Sequence, residues 1–169
     1  MTNASTTTAV ANAIRPCLVF NEKGEEAVKL YVSVFKNSKV LSMQISDGNG
    51  PIPEGKLLNA TFQLDGREYT AFDGGPTFTF SEGFSLMVTC ETQDEIDRYW
   101  TRLTEGGGEE GPCGWLKDRF GVSWQIIPSV LGQMLTDSKS GNSAAAVEAM
   151  LKMKKLDIAA LQHAYRGGS

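Results

Sequence analysis

Histidine is almost missing from this chain and cysteine is scarce: 169 residues hold one His and three Cys. Cys17, Cys90 and Cys113 form no C-x-x-C pair, and an odd, scattered set argues against a disulfide framework and for thiols kept reduced, as in a cytoplasmic protein. The lone imidazole, His163, lies far along the C-terminal segment, expected as a surface or packing residue, so neither Ser85 nor Ser123 has a base to make it a nucleophile. Positive charge is not in excess either. A net charge of -4 offers no basic footprint, which excludes nucleic acid as an expected partner. No apolar run is long enough to span a bilayer, so no membrane partner is expected. Residues 1–12 have neither a basic nor an apolar signal region and read as a disordered tail.

What remains is a globular composition, 41% hydrophobic and 21% charged, long enough for one ordinary domain or two small modules. The patterning favours the modules. Ile14 to Phe20 alternates as a strand, with Pro16 near its start. Gly24 to Phe35 changes period, and Ala27, Leu30, Tyr31, Val34 and Phe35 form one helical stripe. Ser38 to Ser46 reads as a strand, and Lys56 to Leu64 and Arg67 to Phe72 read as a hairpin turned by Asp65-Gly66. The order then repeats. Phe84 to Cys90 alternates, Thr92-Gln93-Asp94-Glu95 has capping-box spacing, and Ile96, Tyr99, Trp100 and Leu103 mark the next helix, closed by Gly106-Gly107-Gly108. A short strand near Glu110 and a hairpin across Cys113 to Ile127 complete the second unit.

The expected fold class is therefore α+β: paired βαβββ modules, 13–76 and 83–128, forming one domain over 13–128, with a helical extension over 129–169. The extension carries stripes at Val130, Met134, Leu135, then Val147, Met150, Leu151, then Ile158, Leu161, Tyr165, with Ser143 and Asp157 as expected caps. Each helix should cover one sheet face, and the opposite faces should line a shared concavity. Alternation puts Thr70, Phe72, Ser85, Met87, Thr89, Ser123 and Gln125 on that lining, an apolar floor with a few hydroxyl and amide groups. Such a lining binds more readily than it reacts.

Asp73, before Gly74-Gly75-Pro76, is either a ligand contact at the mouth or a turn former, and Asp118 carries the same two readings. Cys113 sits beside glycine at an expected rim and is either a reactive thiol or an inert one; Cys17 and Cys90 are expected in the core. Trp115 can stack on a ligand or close a dimer seam, whereas Trp100 lies on the helical stripe and belongs to the core.

Asp73-Gly74-Gly75-Pro76, the stretch Cys90 to Trp100, Cys113-Gly114-Trp115-Leu116 with Asp118, Phe120 to Ile126, and the tail Ala149 to Ile158 together resemble the PhnB-like proteins of the vicinal-oxygen-chelate (glyoxalase/bleomycin-resistance) superfamily. The resemblance covers roughly Ile14 to Gly167. It implies the fold above, a homodimer, and a small-molecule ligand. Superfamily enzymes hold a divalent metal on four strand positions, which in this chain fall near Pro16, Thr70, Ser85 and Gln125; these are not the imidazole and carboxylate donors such a site needs, so no metal and no cofactor are expected. Two alternatives stay open. One is a metal-dependent lyase or dioxygenase of the same fold. The other is a 3-demethylubiquinone methyltransferase, as members are described, although Gly106-Gly107-Gly108 follows a helix instead of opening one after a strand.

Overall fold

The computed structural model describes residues 14–137 and 139–167, so the expected tail over 1–12 lies outside the described residues. The chain divides into two compact units, Met1–Phe78 and Thr79–Ser169. The first holds β1 (Cys17–Phe20), α1 (Gly24–Val34), β2 (Lys39–Ile45), β3 (Leu57–Leu64) and β4 (Arg67–Asp73). The second repeats that order with β5 (Leu86–Cys90), α2 (Gln93–Thr104), β6 (Glu109–Glu110), β7 (Trp115–Lys117) and β8 (Ser123–Pro128), then adds α3 (Leu131–Thr136), α4 (Ser143–Leu151) and α5 (Ile158–Tyr165). The fold is thus α+β, built of two βαβββ modules and a C-terminal helical extension.

In the first unit the sheet runs β1-β4-β3-β2, with β1 parallel to β4 and the other pairs antiparallel. Leu18, Phe20, Ala60, Phe62 and Ala71 are buried on the face that packs on α1, where they meet Ala27, Tyr31 and Val34. The strand is shorter than the alternation predicts, because Pro16 has no N–H for the ladder; its carbonyl still accepts from Thr70 N at 3.0 Å, and Ile14 is left 96% exposed. Cys17 is also exposed, against the expectation of a core thiol. Leu18 and Phe20 occupy the helix side, and a strand sends its next residue to the other face. The Asp65-Gly66 turn has both residues in the left-handed region, φ 47° and 76°, as a two-residue hairpin matched to strand twist demands.

The second sheet runs β5-β8-β7-β6, again with one parallel pair, β5 to β8. Its strand β5 starts at Leu86, two residues later than the alternation suggests. Cys90, Leu116, Trp124 and Ile126 are buried on its helix side, with Ile96, Trp100 and Leu103 of α2 also in the core. The capping box forms with one variation: Thr92 Oγ1 accepts from Glu95 N at 3.2 Å, while Glu95 Oε2 accepts from Glu91 N, one residue before the cap.

The extension packs as a small helical cluster around Leu131, Met134, Ala146, Leu156 and Leu161. Asp157 caps α5 as expected, accepting from Ala160 N at 2.8 Å. Ser143 does not cap α4; Asn142 does, accepting from Ala145 N at 3.0 Å, and Ser143 becomes the first helical residue, with its hydroxyl buried and unpartnered. The α4 stripe is also rotated from the expected one, with Ala146 fully buried and Leu151 62% exposed. An alanine-rich helix carries too little periodicity to fix its own phase.

Candidate functional site

Register places the candidate residues of the second unit together. Trp115, Gln125 and Met87 are cross-strand partners on β7, β8 and β5, so their side chains form one row on the sheet face turned away from α2. The next row holds Ser123 with Lys117, and Lys117 in turn pairs with Glu109 of β6. Ser85, just before β5, joins the first row through its hydroxyl, which accepts from Gln125 Nε2 at 2.8 Å. Met87 is 63% exposed on this open face.

Beside that row the β7 edge bounds a cavity of about 350 Å³, lined among others by Glu82, Glu109, Glu110, Trp115, Lys117 and Ser123. Gln125, Ser85 and Met87 are outside its lining. Pro112 and Leu116 add to its apolar surface. Lys117 Nζ donates to Glu82 Oε1 at 2.5 Å, tying the segment before β5 to β7. That hydrogen bond, helped by Glu109 nearby, holds the Lys117 ammonium above the ordinary lysine range and Glu82 below the ordinary carboxylate range. Glu110, cross-strand from Leu116, turns its carboxylate to the α2 side, where Oε1 accepts from the buried Trp100 indole at 2.7 Å.

Other candidates are used up in building this scaffold. Asp118 is buried and organises the hairpin: Oδ1 accepts from Phe120 N at 2.9 Å and Val122 N at 3.1 Å, and Oδ2 accepts from Trp124 Nε1 at 2.8 Å. Of its two readings the turn former holds. Asp73 does something neither reading foresaw. Its Oδ1 accepts from Gly24 N and its Oδ2 from Leu57 N, both at 2.9 Å, so one carboxylate joins β3 to the start of α1. Lys23 at that helix end supplies no side-chain cap, and Asp73 takes the place of one. Thr70 and Phe72 lie on the β4 face turned away from α1, beside Cys17 and Val19 of β1.

Cys113 is half-buried in a turn, with φ 55°, followed by Gly114 at 83°. Gly114 admits no side chain: a Cβ there would stand 2.8 Å from Ile126 O. The two amides donate to Met153 O at 2.8 Å and Lys154 O at 2.7 Å, so the extension grips the turn that leads into Trp115. Sequence reasoning found Trp115 and Ser123 but missed Glu82, Glu109, Glu110 and Lys117. Lys117 was recoverable, two residues past Trp115 and so on its face; Glu82 sits in a connection without periodicity and gave no signal. His163 is exposed in the last turn of α5.

The strand positions near which the resemblance implies metal ligands carry Pro16 and Thr70 in the first unit and Ser85 and Gln125 in the second, and among the described residues no three His, Cys, Asp or Glu side chains converge as a metal-holding group. Hydroxyl, amide and proline are poor donors for a divalent ion.

Known proteins share this fold. The 3-demethylubiquinone-9 3-methyltransferase family model matches residues 12–127. The chain belongs to that family. A PhnB protein from Bacillus cereus is 38% identical to this member, with a TM-score of 0.64, covering 69% of this chain and 99% of its own. A Pseudomonas aeruginosa protein is 25% identical at a TM-score of 0.56, covering 68% and 96%. The fosfomycin resistance protein FosX from Listeria monocytogenes shares the fold at 12% identity and a TM-score of 0.55, covering 75% and 98%. The likeness to FosX is one of fold alone. No curated protein matches. The helices α3 to α5 of this member lie beyond the residues that the family model matches.

Proposed function

We propose that this family member binds a small, partly aromatic or amphipathic organic molecule on the open face of its second sheet, without a divalent metal, as a cytoplasmic homodimer. The observation that carries the reading is the cavity beside Trp115: an indole wall with a few convergent polar groups is the form small-molecule sites take. Met87, Gln125 and Ser85 extend the same face as a shelf next to it. Thr70, Phe72, Asp73 and Cys113 keep a lesser place in the proposal. Asp73 already spends both oxygens on amides, and Cys113 is held by its own backbone at the extension.

Methyl transfer, which the family's name describes, would need a seat for a methyl-donor cofactor. The strand-to-helix junctions are where a nucleotide cofactor is commonly received. In this chain the α1 start is occupied by the Asp73 carboxylate and the α2 start by Thr92 and Glu95, so neither of these two junctions fits, and the third, from β8, opens only the six-residue helix α3. Native mass spectrometry of freshly purified protein tests the proposal. It should show a co-purified organic molecule, absent from Trp115→Ala, and no stoichiometric divalent metal. A bound metal at one per chain would overturn the metal-free reading, and a ligand unaffected by Trp115→Ala would move the site elsewhere.

A further inference from the structure

Charge around the cavity is one-sided. Glu82, Glu109 and Glu110 line it, and the one ammonium among them, Lys117, is already committed to Glu82. Glu110 turns its carboxylate to the α2 side, so Glu82 and Glu109 against Lys117 leave one negative charge in excess on the Trp115 side. Glu110 is held by the Trp100 indole. Glu109 makes no side-chain hydrogen bond or ion pair to another described residue, and it stands across the strand pair from Lys117. Trp115 adds an indole, whose face carries negative potential and attracts cations at close range. Both fields point the same way.

We propose that the cavity selects a cation: a molecule with a protonated amine or amidine on a planar, apolar body, the body against Trp115 and the charge toward Glu109 and Glu82. This rests on the reading of the Trp115 cavity as the binding site and names the chemical class it takes. An anion, such as a carboxylate or phosphonate, meets repulsion from Glu109 and must separate Lys117 from Glu82 before it finds a counter-charge. Nothing comparable opposes a cation. Neutral aromatics keep only the contact with the indole.

Three probes of one shape separate these cases: phenethylamine, 3-phenylpropionate and 2-phenylethanol, titrated into the full-length protein with indole ¹⁵N labelling at neutral pH. The Trp115 resonance is assigned with Trp115→Phe, and Trp124, buried and bonded to Asp118, serves as an internal control. Phenethylamine should move Trp115 with a Kd about 10-fold below that of 3-phenylpropionate, the gap narrowing as salt rises. Glu109→Gln should shrink the preference, and Lys117→Met, by releasing Glu82, should enlarge it. Equal Kd values for the three probes, or tighter binding of the anion, overturn the charge selection while leaving Trp115 as the site. If no probe moves Trp115 up to millimolar concentration, the site reading itself falls and the selection falls with it.

Discussion

Asp118 shows how much one side chain can decide. It accepts from three donors inside the hairpin that presents Trp115, and it is buried, so each donor would otherwise be left without water. Asp118→Asn keeps the shape but turns an N–H toward a neighbouring N–H, and should cost about 1–3 kcal/mol. The urea midpoint should fall with an unchanged m-value; a midpoint within experimental error of the parent would show that the network contributes nothing. Cys90 supplies the pH prediction. Burial, reinforced by Glu95, pushes its thiol up to about 12 from 9.0. Below pH 9 both folded and unfolded chains hold this proton, so the group has no effect on the slope. Between about 9 and 12 only the folded chain retains it, so stability falls as pH rises through that window. Cys90→Ala should lose less stability across it than the parent does. In the native state at pH 8, a thiol reagent should label exposed Cys17 and leave Cys90 untouched until denaturant is added. Rapid native labelling of Cys90 would contradict its burial.

At the scale of elements, one amide side chain fastens the extension to α2. Gln93, in the first turn of α2, donates through Nε2 to Leu156 O at 3.1 Å and accepts through Oε1 from Ile158 N at 2.9 Å. Lys155 adds an exposed ion pair to Asp97, worth little in water, which leaves Gln93 as the main polar tie to α2 beside the backbone bonds of Met153 and Lys154 to the Cys113 turn. Gln93→Ala should speed hydrogen exchange at Ile158 and, through the loosened segment, at Cys113 and Gly114, whose amides bond to Met153 and Lys154. Unchanged exchange at all three amides would show the extension docking by its apolar cluster alone. The helices, the Asp65-Gly66 hairpin and the α2 cap were legible in the sequence, because period and turn chemistry are local properties. The α4 phase and its cap were not: Ser143 and Asn142 are adjacent capping residues, and packing around Ala146 chose between them.

For the whole molecule, the expected homodimer has a direct check: light scattering on the eluting peak should give twice the chain mass, and a single-chain mass at micromolar concentration would remove the dimer from the proposal. The edge strand β2 leaves Val40, Leu41 and Ile45 exposed. Among the described residues no helix is long and apolar enough to cross a membrane.

The amino-acid order by itself determined the repeated βαβββ pattern and the helix-side faces of most strands. Alternation, helical period and residue chemistry need no partner to be read. Only the tertiary structure decided what the carboxylates do. Asp73, Asp118 and Glu110 were drawn into binding backbone and indole N–H groups, while Glu82 and Glu109, from a connection and a two-residue strand, were brought round Trp115. Which donors a carboxylate meets depends on chain segments distant in sequence, and no local period encodes that meeting.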